Sequence, residues 1–309
     1  MTENRGLPVR SAGKTAEEKK QMEQEWEYYN HALVPTTAPH VTPDTSWMKD
    51  RRKWRELAGG RYPLFARWIT DFDCQEETEW WCLVKDTPFD IMSLKSNRRS
   101  LITRGLKRVD VKVIIPEKYA KQMANVLIKA WKSYDEFYEE GEDRKNLERE
   151  FSQLTKDHLG NSEYLGAFLK GTDTMIGYSI YNLYDDWVEY SVVKTDPEYL
   201  NTQVNAALVY YGLERYMKTG IRYIMGGWRT IVHDTNYQDY LLKNFGYRKA
   251  YCKLHIQYRP WVKMIVTALY GFRNVLKSDS KNKLLYMIWC TLRQEEIYRS
   301  FRIRDLRDF

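Results

Sequence analysis

Cysteine is scarce in this 309-residue chain, and none of it is closely paired. Cys74, Cys82, Cys252 and Cys290 have no metal-ligand spacing, which excludes a zinc knuckle and a disulfide scaffold, and no metal is expected. Long apolar runs are missing too. The stretch 261–276 is interrupted by charge and 284–292 is too short, so neither reads as a membrane span. The polar N-terminal stretch shows no signal segment, so ordinary thiols in a reducing compartment and a cytoplasmic location are expected.

Apolar residues make up 43% of the chain, with 24 tyrosines and 11 tryptophans, and only nine prolines interrupt them. That composition is globular, and the length suits one large or two ordinary domains. The formal charge is +7, and most of the excess lies in residues 261–309, where ten Lys or Arg face five Asp or Glu. A second basic run, 95–108, has six positive residues and no acid. Such asymmetry suits an anionic ligand, a nucleic acid or an anionic membrane surface without choosing among them.

Residues 1–45 read as an arm: a charged stretch at 14–27, then an extended linker carrying Pro35, Pro39 and Pro43. Strands are expected at 64–69 and 80–84. A helix capped by Ser96 and stopped near Gly105 comes next, followed by a strand over 109–115. Pro116 opens a long helix, and the acidic run 139–144 marks an internal boundary before a helix at 145–156. A hairpin follows at 163–170 and 175–183, then a strand at 187–193. A helix over 201–218, with Val204, Ala207, Leu208 and Tyr211 on one face, precedes a strand at 221–225. A helix at 237–244, a strand at 247–258 and two amphipathic helices complete the pattern. These are mixed sheets flanked by helices, of the α+β class.

Met175-Ile-Gly-Tyr-Ser-Ile-Tyr181 and Lys243-Asn-Phe-Gly-Tyr-Arg-Lys-Ala250, set in that order of elements, resemble the GCN5-related N-acyltransferase (GNAT) fold. Ser96-Asn-Arg-Arg-Ser-Leu-Ile-Thr-Arg-Gly105 resembles a basic segment of the two-domain Fem-type aminoacyl transferases. The resemblance implies a tandem of acyltransferase-like domains, with a degenerate one at 46–144 and a second at 145–260, followed by a basic helical tail at 261–309. It also implies transfer of an acetyl or aminoacyl group to an amine of a small or cell-envelope-type acceptor. The donor would be acetyl-CoA (or another acyl-CoA) or an aminoacyl-tRNA, a polyanion suited to Lys95, Arg98, Arg99, Arg104 and Lys107. Peripheral contact with a membrane and a homodimer, both through the C-terminal helices, are compatible with the pattern.

Family members bind the coenzyme's pyrophosphate on helix-start amides, usually in a glycine-rich turn. By the resemblance, Val193, Asn201, Gln203 and Asn205 would line that site here. Yet the turn has no glycine, and Leu242 stands where many members keep an acidic tyrosine. Glu189 falls where the family keeps a carboxylate base, and His233 could serve near neutral pH. Arg229, after Gly226-Gly227, suits a bidentate clamp on an anionic substrate, with Asn236, Arg98 and Arg99 as further substrate contacts. Each has a plainer reading. Glu189 can be an outward acid, His233 a loop tie, Arg229 an ion-pair partner of Asp234 or Asp239, and Asn236 a helix cap. Three functions stay open: an N-acyltransferase, an inactive acyltransferase-like binding or structural protein, and a nucleic-acid binder supported by charge alone.

Overall fold

Branched and aromatic side chains at alternate positions build ten strands that join in one sheet. A computed structural model describes residues 25–134, 142–231, 236–275 and 282–305. The strands are β1 (Trp26–Tyr29), β2 (Ala32–Pro35), β3 (Phe65–Cys74), β4 (Trp80–Lys85) and β5 (Val109–Ile114). After them come β6 (Ser162–Leu169), β7 (Met175–Leu183), β8 (Trp187–Thr195), β9 (Tyr223–Trp228) and β10 (Arg248–Tyr258). Their spatial order is β1-β2-β3-β10-β4-β9-β8-β7-β6-β5.

This order does not show the tandem expected from the sequence. β10 lies between β3 and β4, and β5 pairs with β6, so strands from 46–144 and 145–260 alternate in one sheet. Either half alone would leave open strand edges, and the other half supplies the missing ladders. The expected linker is also corrected. Within 25–45, β1 and β2 form a hairpin whose turn residues Asn30 and His31 both take positive φ, and β2 runs parallel to β3.

The helices are α1 (Arg51–Leu57), α2 (Ser96–Arg108), α3 (Pro116–Tyr134), α4 (Asp143–Ser152), α5 (Val204–Tyr216), α6 (Asn236–Phe245), α7 (Pro260–Leu269) and α8 (Lys283–Asp305). One face of the sheet carries α2, α5 and α6 over a core that includes Ile102, Tyr181, Val188, Tyr190 and Leu208. The opposite face carries α3 and α4 over Tyr164, Tyr178, Ile180 and Val192. Pro116 begins α3 as expected, but Ser96 does not cap α2. Lys95 is the cap residue and makes no side-chain bond to the helix.

Gly105 does not end α2 either. It is buried against the start of α5, where an added Cβ would lie 2.8 Å from the Gln203 carbonyl oxygen and 3.3 Å from the Ala207 nitrogen. Only a glycine permits that approach of two backbones.

His40 ties the segment after β2 to the sheet. Its Nδ1 lies 2.7 Å from the Tyr223 hydroxyl and its Nε2 lies 3.3 Å from an Asp186 carboxylate oxygen. This fits the neutral tautomer in which Nε2–H faces Asp186 and Nδ1 accepts from Tyr223. Burial, aided by Arg222, holds the imidazole below its ordinary 6.5, against the opposing pull of Asp186. The folded chain therefore takes up this proton less readily than the unfolded chain.

Two outcomes follow from these contacts. Gly105→Ala should destabilise the fold by about 1–3 kcal/mol in urea denaturation, because backbone must move to admit the methyl group. The His40 contribution should be fully present above pH 6.5 and be lost as pH falls through the lowered folded pKa. Denaturation of wild type and His40→Gln across that window should show the variant with the flatter profile.

Candidate active site

β8 and β9 run parallel but pair only through Trp187 with Tyr223, Val188 with Ile224 and Glu189 with Met225. Beyond that point β8 continues to Thr195 and β9 to Trp228 without pairing to one another. The cause is visible on the other side of β8. Against β7, Ile180 pairs with Val192 while Tyr181 pairs with Tyr190, so Ser191 is an extra residue. Such a bulge bends and twists its strand, and here it carries β8 away from β9. Glu189 is the last paired residue before the split.

Glu189 is half-buried on the α3 side of the sheet. The Asn182 amide donates to its Oε2 at 2.8 Å, and the Ser162 hydroxyl donates to the Asn182 Oδ1 at 2.8 Å. Ser162 and Asn182 are both buried. The carboxylate is thus aimed by a chain of neutral donors.

Tyrosines close the split on the opposite face. Tyr190 stacks on Tyr181 with ring centroids 4.7 Å apart, and its hydroxyl lies 2.6 Å from that of Tyr237 on α6. Burial pushes both hydroxyls well above the ordinary tyrosine range, so they remain protonated. Neither was singled out from the sequence. The aromatic spacing of Tyr237 and Tyr240 on one helix is the signal for them in the sequence, and Leu242 packs partly buried against the same core.

The glycine-free start of α5 nevertheless takes a glycine-like shape. Gln203 has φ 65°, a left-handed conformation that few side chains favour. Its carbonyl accepts from the Ala207 N–H at 3.2 Å and meets Gly105 of α2. Arg108 donates to the Asn201 carbonyl at 3.0 Å. Val193 is half-buried beside the α5 core, and the buried Asn205 Oδ1 has no hydrogen-bond partner. α2 therefore packs on the turn where the family resemblance places a pyrophosphate.

Arg229 departs from the substrate-clamp expectation. Its guanidinium donates to the Glu79 carboxylate at 2.7 Å and to the Glu79 carbonyl, while its backbone N–H donates to the Trp81 carbonyl at 2.9 Å. Arg229 is an ion-pair partner of Glu79, Asp239 pairs with Lys243, and Asp234 lies outside the described residues. The preceding glycine also serves packing: a Cβ at Gly226 would lie 2.9 Å from the Tyr247 ring. Asn236 is exposed at the first described residue of α6, and His233 lies outside the described residues.

Arg98 and Arg99 are half-buried on α2, which covers the face opposite Glu189, and Arg99 donates to the Met92 carbonyl at 3.4 Å. Burial pushes all four thiols upward, so none is an activated nucleophile. Among the described residues no three His, Cys, Asp or Glu side chains gather as a metal site.

The sequence matches no protein-family model and no curated protein. Its fold does match solved structures. FemX aligns with a TM-score of 0.50 at 11% identity, covering 76% of this chain and 82% of FemX. L-PGS from Bacillus licheniformis aligns at 0.46 and 10% identity, over 82% of this chain and 86% of its own. The PaiA N-acetyltransferase of Thermoplasma acidophilum, solved with coenzyme A, aligns at 0.31 and 19% identity over 37% and 74%. At such identities a likeness speaks to architecture alone. The helix-flanked mixed sheet of this chain is accordingly a fold like that of FemX.

Proposed function

We propose that this chain is an N-acyltransferase that moves an acyl or aminoacyl group onto an amine at the β8–β9 split. The observation that carries the reading is the placement of Glu189 at the last paired position before the strands part. A split is the one place where the two faces of a sheet communicate. A donor can enter from the face of α2 and α5, and an amine can approach from the face of α3.

In this mechanism the amine nitrogen attacks the donor's carbonyl carbon, and Glu189 takes the proton that the amine must lose. Asn182 and Ser162 hold the carboxylate in place. The backbone N–H groups released from pairing around Ser191 stabilise the oxyanion, and the leaving group departs as the tetrahedral intermediate collapses. The hydroxyl pair of Tyr190 and Tyr237 supplies protons near the leaving group, the task that Leu242 cannot perform. Because α2 occupies the surroundings of Gln203, an aminoacyl-tRNA suits the site better than a coenzyme bound in the usual way. Arg98, Arg99, Arg104 and Lys107 lie on α2 and Lys95 at its N-cap, on the same side as that entrance.

A second reading has its own observation. The Tyr190–Tyr237 contact bridges β8 to the helix after β9, and a permanent bridge would leave a binding or structural protein without chemistry.

Single-turnover assays with acetyl-CoA and with aminoacyl-tRNA, each offered a primary amine, test the first reading. Glu189→Gln should lower the rate about 10²–10⁴-fold while leaving the melting temperature unchanged, as expected for loss of a general base. No transfer from either donor would support the second reading, and full rate in Glu189→Gln would remove Glu189 as the base. Tyr237→Phe should lower stability by about 1–3 kcal/mol, since it leaves the Tyr190 hydroxyl unpaired.

A further inference from the structure

Both strands that border the split are bulged. Against β4, Met225 pairs with Val84 and Trp228 with Cys82, so Gly226 and Gly227 together oppose Leu83. Gly227 takes φ 99°, a conformation that a side chain would resist. Strict alternation would turn Trp228 to the face where Gly226 meets Tyr247. The extra residue instead puts Trp228 with Met225, Trp187 and Tyr223, on the face that carries Glu189.

Trp228 is fixed where it stands. Its indole stacks on the buried Trp80, with centroids 6.2 Å apart and planes 16° from parallel, and its carbonyl accepts from the Gln238 amide at 2.7 Å. It is nonetheless only half-buried, as are Glu189, Ser191 and Val193 across the split. β8 and β9 are central strands of a ten-stranded sheet, so partial exposure there marks an opening between them.

Charge on this side indicates what enters. Arg229 is held by Glu79 at 2.7 Å, and Lys129 of α3 is shared by Asp196 at 2.8 Å and Glu198 at 2.7 Å. Each cation is already matched by carboxylate, which leaves little to receive an anionic substrate group. Among the described residues no cation lies within ion-pair distance of Glu189. A carboxylate and an indole on one face of an opening suit an organic cation, which both attract.

We propose that Trp228 binds the acceptor as an alkylammonium cation beside Glu189, and so selects primary amines with no carboxylate or phosphate next to the nitrogen. Trp228 is a specificity-determining residue, and that role rests on the transfer proposed above. The ammonium gives one proton to Glu189, and its freed lone pair forms the C–N bond at the donor's carbonyl carbon. The bond to the leaving group breaks, the leaving group takes the second N–H proton, and Glu189 passes the first to solvent. A carboxylate beside the nitrogen would meet Glu189 as a like charge.

Ligand-observed NMR titration without donor, using n-pentylamine and norleucine, tests the assignment. Norleucine is pentylamine with a carboxylate on the carbon that bears the nitrogen. Pentylamine should bind wild type at least about tenfold more tightly, because the like charge opposes norleucine. Trp228→Leu should weaken pentylamine about three- to thirtyfold, and Trp228→Phe should fall between the two, since phenyl is the poorer π partner. If Trp228→Leu does not fold, Trp228→Phe decides. In transfer assays the effect of either variant should fall on KM rather than kcat, the mark of lost ground-state binding. No binding of pentylamine, equal binding of the two ligands, or wild-type affinity in the Trp228 variants would overturn the assignment, even with transfer intact. Selective pentylamine binding that the variants weaken, with no transfer from either donor, would instead remove the transferase reading and leave the cation site standing.

Discussion

A three-residue parallel ladder between β8 and β9 is the constraint from which the rest of this molecule follows. Parallel pairing ordinarily extends as far as both strands last, because every unpaired N–H and C=O must find another partner. Here the extra residue at Ser191 bends β8 before that can happen. The parted strands need something between them, and the chain supplies Tyr190 and Tyr237 on one face. On the other it leaves Glu189, steadied by Asn182. An acid at the last paired position stands beside the opening where the two strands part.

β9 tolerates a short ladder on one side because it has a second neighbour. β4, contributed from far earlier in the chain, runs antiparallel to it, and β10 then joins β4 to β3. The sheet is therefore sewn together by contacts distant in sequence. Arg248 of β10 shows the same stitching in its side chain, pairing with Asp73 near the end of β3 and Asp86 just after β4. Arg229, at the end of β9, joins this scaffold through Glu79. Its guanidinium fixes the approach to β4.

Separation by face organises the charges as well. α2 brings its arginines to one side and packs Gly105 onto the start of α5, while Glu189 belongs to the other side. A donor and an acceptor that met in the split would come from opposite faces.

Residue pattern alone determined the local elements. Alternation marked β6 to β8, the branched and aromatic run marked β10, and Pro116 marked the start of α3, because each depends on neighbours a few residues away. Tertiary structure decided what those elements became. The separate domains expected on either side of residue 144 merged, since strand edges pair with any compatible edge whatever its distance along the chain. Gly105 reads as a helix stop in sequence and is a helix contact in space, because the demand for a missing Cβ comes from α5. Gln203 adopts a glycine's conformation without being one. Glu189 could be named from its place along a strand, but its Asn182–Ser162 support and its position at the split required three strands to be laid side by side.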